Sequence, residues 1–201
     1  MDIDAVVKNL NRRRFLARRF ATADEAKAEM LSIIGVQSVG ISGSNSVNST
    51  GLYDVLCAQG NAVYCHTFVP KEEKAAVRRA ALDADVYLCS ANAVTEDGVI
   101  VNIDGTGNRI AATIFGPPTV IMLVGKNKLV GTIEEGIART KRECCPKNAR
   151  RLGVSTPCAV TGECRDCSGE GRMCNVTILH EYPTRHTQNF YVFLVDETLG
   201  W

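Results

Sequence analysis

The sequence predicts an α/β fold: an open, mostly parallel sheet with helices on both faces. Two observations carry this. Short β-branched runs alternate along the chain with stretches whose apolar residues recur at helical spacing. One run, Thr119 to Val124, is apolar without interruption, as a strand buried on both faces must be. At 201 residues the chain suits one well-buried domain, here taken as residues 1–201 with N-terminal helices (1–35) packed on it and a cysteine-rich insertion (144–174).

Taken in order, Ile3, Val6, Val7 and Leu10 share a helical face, and Arg12, Arg13, Arg14, Arg18 and Arg19 read as its solvated continuation. Thr22 and Glu25 form a capping box for a second helix with Ala26, Met30, Ile33 and Ile34, stopped by Gly35. Val36 to Ile41 is the first predicted strand. A polar loop, Ser42 to Ser46, and a helix ending near Gly60 come next. Asn61 to Phe68 and Asp85 to Cys89 are further strands, separated by a helix from Pro70 to Leu82.

The stretch from Ser90 to Arg109 organises the rest. Asp97-Gly98 between alternating apolar runs predicts a type I′ hairpin turn with Glu96 at its mouth. The second hairpin strand, Val99 to Ile103, runs into Asp104-Gly105-Thr106-Gly107-Asn108-Arg109, after which Ile110, Ala111, Ala112, Ile114 and Phe115 look helical. Backbone N–H groups converging at a helix start favour a phosphate or carboxylate, and Arg109 there is suited to clamp it. An ordinary glycine-rich turn, with Arg109 in a surface ion pair, is the other reading. Neither the Rossmann fingerprint nor a P-loop is satisfied, since Ile110 stands where a third small residue is needed and no Gly-Lys-Ser/Thr comes after it. Thr132 and Glu135 cap a later helix that Pro146 is expected to limit. Strands are expected at Asn175 to Glu181 and Phe190 to Val195.

In such a sheet ligands lie beyond the C-terminal strand ends. Ser42, Gly43, Ser44 and Asn45 are therefore expected to share a crevice with Gly105, Thr106, Gly107, Asn108 and Arg109, around a small anionic, phosphorylated or CoA-type ligand. His66 ends a strand near it, as a base or as an ordinary strand-end histidine. The net charge of +1 offers no field for nucleic acid. No apolar run approaches the roughly 18 residues that span a bilayer, and the arginines lead into no export signal, so a soluble cytoplasmic protein is expected. Oligomeric state is left open, a homo-oligomer included.

Nine cysteines are many for a chain expected in a reducing compartment, where metal ligation or burial is commoner than disulfides. Cys57, Cys65 and Cys89 read as small buried hydrophobes. Cys158, Cys164, Cys167 and Cys174 fall within seventeen residues, with Cys144 and Cys145 in reserve. Four converging thiolates would staple this polar stretch around a 4Fe-4S cluster or a structural Zn²⁺, with no metal as the third reading.

The segments SANAVTEDG, NIDGTGNRIAA, NARRLG and TPCAVTGECRDCSGEGRMCNVTIL, in that order, resemble the lactate-utilisation (LUD) domain family in its short, stand-alone, cysteine-bearing form. The resemblance covers nearly the whole chain. It implies the fold shared by phosphosugar isomerases, glucosamine-phosphate deaminases and CoA transferases. It also implies organic-acid utilisation, because some members act beside iron–sulfur redox partner proteins in oxidising lactate to pyruvate. In class I CoA transferases a glutamate in a Ser-Glu-Asn-Gly-like segment attacks the acyl thioester, and Thr95-Glu96-Asp97-Gly98 is similar. That similarity implies a nucleophilic role for Glu96, against the plain reading of a polar hairpin residue.

Overall fold

The computed structural model describes residues 1–201. Its elements are α1 (Ile3–Arg12), β1 (Leu16–Phe20), α2 (Ala23–Ile34), β2 (Val39–Ile41), α3 (Asn45–Asn48), α4 (Leu52–Ala58), β3 (Val63–Cys65), α5 (Lys74–Ala80), β4 (Val86–Cys89), β5 (Ala93–Thr95), β6 (Ile100–Asp104), α6 (Asn108–Phe115), β7 (Thr119–Gly125), β8 (Leu129–Val130), α7 (Ile133–Arg139), α8 (Cys145–Leu152), α9 (Pro157–Thr161), β9 (Val176–His180) and β10 (Asn189–Val195). Six strands form an all-parallel open sheet in the order β1-β10-β7-β4-β2-β3. The antiparallel pairings expected within one sheet instead belong to a second, mixed sheet, β8-β5-β6-β9.

β7 shows why its sequence has no polar residue in the middle. Val120, Met122 and Val124 face a core shared with Val6 and Leu10 of α1, Ala112 of α6 and the inner side of the second sheet. Ile121 and Leu123 face the opposite core, with Met30 and Ile34 of α2 and Leu52 and Leu56 of α4. Period-two alternation with both phases buried places helices on both faces. Thr22 caps α2 as expected, its Oγ1 accepting from Glu25 N at 3.2 Å. Thr132 caps α7 in the same way, also at 3.2 Å.

Five further expectations need correction, the plainest being Cys57, which is exposed and not a buried hydrophobe. The arginine run is not one helix face. Arg14 adopts φ +67°, the chain reverses, and Arg18 and Arg19 lie on β1, an edge strand bonded only to β10. The short charged edge suits a strand that must not recruit another, and Arg19 bridges Asp196 and Asp4, each at 2.7 Å. The turn at Asp97-Gly98 is not type I′. Only Gly98 is left-handed (φ +87°), Gly98 N donates to Thr95 O, and Thr95 N donates to Val99 O, the pattern of a type I turn closed by a G1 bulge. Pro146 does not end the α7 helix. A π-helical turn, Thr140–Cys144, inserts one residue's worth of slack and the chain continues into α8 with Pro146 in its first turn. Finally, the polar stretch from about Lys147 to Cys174, expected to lack helical or strand periodicity, carries most of α8 and all of α9.

A candidate anion cleft at the carboxyl edge of the parallel sheet

The C-terminal ends of β2, β3, β4 and β7 open into a cleft of about 400 Å³. It is closed from the other side by the end of β6, the start of α6, α8 and residues 170–173. Ser42, Gly43, Ser44, Asn45, His66, Gly105, Thr106, Asn108 and Arg109 all line it, so the loops expected to converge do converge. Gly107 is the left-handed residue (φ +84°) that starts α6 and is not in the lining.

The glycine-rich turn is not the open anion nest its sequence suggests. Asp104 Oδ1 accepts from both Thr106 N and Gly107 N at 3.2 Å, so the chain's own carboxylate already takes the place of an external anion at those two amides. Arg109 is likewise committed inward, donating to Ile103 O (2.7 Å), Asn92 Oδ1 (3.0 Å) and Ser90 O (3.3 Å). Its Nε stands 3.8 Å from Asp104 Oδ2, too far for a hydrogen bond. Arg109 thus fixes the cleft wall and adds positive charge.

The residue that dominates the cleft was not among those the sequence singled out. Lys128 ends a 3-10 turn directly after β7, is 3% exposed, and has no carboxylate within ion-pair distance. Its Nζ donates to Ser46 Oγ (2.7 Å) and Ser90 Oγ (2.8 Å). Those hydroxyls in turn donate to Leu199 O (3.1 Å) and Leu123 O (2.5 Å). Desolvation pushes the ammonium down to about 7; Cys144 is the strongest opposing influence, while Arg139 and Arg109 add to the fall and Cys89 opposes it weakly. Its one sequence signal is a polar Lys-Asn-Lys placed immediately after the most apolar strand.

Around the mouth, burial and the charges of Arg78, Lys74 and Arg151 push His66 down to about 4, so it is neutral at pH 7. Ser42 Oγ, Arg78 Nε and the carboxylate oxygen Asp104 Oδ2 are buried in the lining and make no hydrogen bond within the protein. Arg78, Arg109, Arg151, Arg172 and Lys128 outnumber Asp104 and Glu170 in the lining. Arg139 is buried too, and donates to Asn92 O (2.7 Å), Asn127 O (3.0 Å) and Cys144 Sγ (3.3 Å), locking the β4 and β7 loops to the π turn.

Glu96 lies elsewhere. It is exposed at the hairpin turn, its N–H on Val130 O and its carbonyl accepting from Asn9 Nδ2 of α1. A carboxylate nucleophile needs a dry pocket beside an oxyanion site, and this position supplies neither.

Cys158, Cys164, Cys167 and Cys174 are half-buried free thiols outside the cleft lining, whereas Cys144 and Cys145 are buried and line it. Burial pushes Cys145 up to about 12, and Cys174, Cys144, Cys158 and Cys164 all stand close enough to disfavour its thiolate further. Cys174 is raised by burial, with Cys164 and Cys167 adding to the rise and Arg172 opposing it. Arg172 folds the segment back by donating to Cys167 O and Cys174 O. The thiols thus share a neighbourhood, with Cys145 among them, but no three Cys, His, Asp or Glu side chains stand in metal-ligating geometry. In kind, this all-thiol donor set fits an iron–sulfur cluster or Zn²⁺.

A profile of the LUD domain matches residues 3–195. The chain belongs to the LUD domain family. The fold of this LUD domain is similar to the crystal structure of a DUF162 family protein from Deinococcus radiodurans, with a TM-score of 0.56 over 96% of this chain and 95% of that one at 14% identity. At that identity the likeness speaks for the fold alone. No curated protein matches the LUD domain described here. None of its helices is long and apolar enough to cross a membrane.

Proposed function

We propose that this LUD domain holds an anionic organic ligand in the cleft and serves organic-acid utilisation of the lactate type. The observation that carries the reading is Lys128: a cation buried to 3% exposure, with no acidic partner, on the floor of a cleft ringed by arginines. Burying an unpaired ammonium costs several kcal/mol, on the order of the shift seen here, and an anion entering the cleft offsets that cost. Ser42 Oγ and Arg78 Nε, buried without partners, are further donors for it. The volume exceeds that of a three-carbon acid several-fold, which favours a larger, phosphorylated or CoA-type ligand or an acid bound with water.

The cysteine segment would hold a 4Fe-4S cluster through Cys158, Cys164, Cys167 and Cys174, with Zn²⁺ as the alternative and Cys145 as the buried thiol beside them. When bound, a cluster supplies one-electron transfer to redox partner proteins. The chain's own part is to shield the thiols, with Arg172 offsetting part of the rise that burial imposes on Cys174.

Trp201, the single tryptophan, lines the cleft and reports on it. Phosphate, lactate, pyruvate and acyl-CoA are titrated against its emission between pH 6 and 9. Saturable quenching that weakens as pH rises through 7, with proton uptake above 7, is expected; no saturable response from any of them refutes the anion reading. Anaerobic iron, sulfide and zinc analysis separates the two metals, and a protein with neither after anaerobic reconstitution ends the metal assignment.

A further inference from the structure

Lys128 is placed for more than charge. A neutral amine has two N–H groups and one lone pair. Both hydrogens have fixed acceptors in Ser46 Oγ and Ser90 Oγ, and neither serine offers its own proton back, because Leu199 O and Leu123 O take them. The one remaining position on Nζ is therefore the lone pair, on a residue that lines the cleft. No carboxylate stands within ion-pair distance to hold the ammonium form. The orphaned donors Ser42 Oγ and Arg78 Nε line the same cleft, where they suit a carboxylate.

We propose that Lys128 is a nucleophile that captures the carbonyl carbon of a 2-oxo carboxylic acid as an imine. The inference rests on the anion reading above and names its substrate class. The lone pair of Nζ forms the C–N bond while the C=O π electrons move to oxygen, and one nitrogen proton passes to that oxygen, giving a carbinolamine. Departure of the oxygen as water, taking the second nitrogen proton, leaves C=N. Amine and ketone thus give imine and water, with no change of oxidation state and no further reactant. Protonation of the imine nitrogen then makes it an electron sink for the bond next to the former carbonyl carbon. Burial supports this chemistry because it leaves a large fraction of the amine uncharged near pH 7, where an exposed lysine is almost wholly protonated. The groups facing it are Arg109, Arg139, Cys144 and Cys89: two fixed cations and two thiols, of which Cys89 is held protonated by burial.

The test uses the whole protein with pyruvate and cyanoborohydride at pH 7, read by intact mass and peptide mapping, alongside Trp201 quenching by pyruvate and by lactate. A single adduct on the peptide containing Lys128, with a mass gain equal to the acid less one oxygen, is expected. Lactate should give none, and Lys128→Arg should abolish the label. Site mapping on the unmutated chain keeps the test independent of whether that variant folds. Quenching without an adduct, or adducts only on other lysines, overturns the imine and leaves the anion reading standing. Neither quenching nor adduct removes both.

Discussion

Replacing Lys128 by methionine should stabilise this protein at pH 6 and do so less and less as the pH rises. The side chain keeps nearly the same length, so the perturbation is to charge and hydrogen bonding. An ordinary lysine titrates at 10.5 and this one at about 7, which places about 5 kcal/mol of burial penalty on the native ammonium. Below pH 7 both folded and unfolded chains carry the proton and the penalty is present in full. Between 7 and 10.5 the unfolded chain holds a proton that the native chain has released, so native stability climbs by about 1.4 kcal/mol per pH unit. Above 10.5 the penalty is gone. The methionine variant avoids it at every pH but loses the two bonds to Ser46 and Ser90, about 1 kcal/mol each, since both hydroxyls keep their carbonyl partners. The variant should therefore be more stable by about 3 kcal/mol at pH 6, with the two curves meeting near pH 9. Urea unfolding followed by Trp201 emission and circular dichroism from pH 6 to 10 measures this difference. Thiols such as Cys89 titrate in both proteins and cancel to first order. Two curves that stay parallel across that range would refute the account of Lys128 as a buried amine released from its proton near neutrality.

Other positions give independent expectations. His180, buried beneath Thr113 and edge-on to Phe190, is pushed down to about 4. The native state then gains stability as pH rises from 4 to 6.5 and loses about 3 kcal/mol on acidification through that window, so His180→Gln should flatten the acid limb of a thermal-melt series. Gly40→Ala should cost about 2–4 kcal/mol in urea unfolding, because the added methyl would sit 2.6 Å from Ala81 O and 2.9 Å from Tyr87 Cδ2, on a strand paired on both sides. Thr132→Ala removes the cap on α7 and should lower stability by about 1 kcal/mol, restored in part by serine. Arg13→Ala should change global stability by under about 1 kcal/mol, since the Asp97 partner is largely exposed, while proteolysis near the hairpin quickens.

The parts of the fold legible in the sequence were those whose local and global preferences agree. Thr119 to Val124 could only be a strand between two layers, and Thr22 and Thr132 announced their helices by side-chain chemistry that needs no tertiary partner. The strands that went unseen or were drawn too long are those fixed by pairing alone. β1 carries Arg18 and Arg19 because an edge tolerates charge, so no apolar alternation marks it, and β3 keeps only Val63–Cys65 of a longer apolar stretch. For the cleft, glycine and serine loops after strands located the rim correctly. What they could not show was which polar group would satisfy the turn amides, since Asp104 reaches them by a local bend, nor that Lys128 would be the deepest charge. A lysine after a strand reads as solvated until three separate loops are seen to close over it.

The π turn at Thr140–Cys144 acts as a phase setter for the helix beyond it. Each residue added to or taken from a helix rotates the downstream turns by about 100° about the axis. Removing one residue here would restore regular winding and turn α8 by that angle, carrying Cys145 and Ala149 away from the interior and Arg150 or Arg151 toward it. Pro146 would then meet an α-helical carbonyl four residues back instead of the slack that receives it. Deleting Lys141, Arg142 or Glu143, none of which lines the cleft, would thus dismantle both the inner wall of the cleft and the seat of the buried thiol.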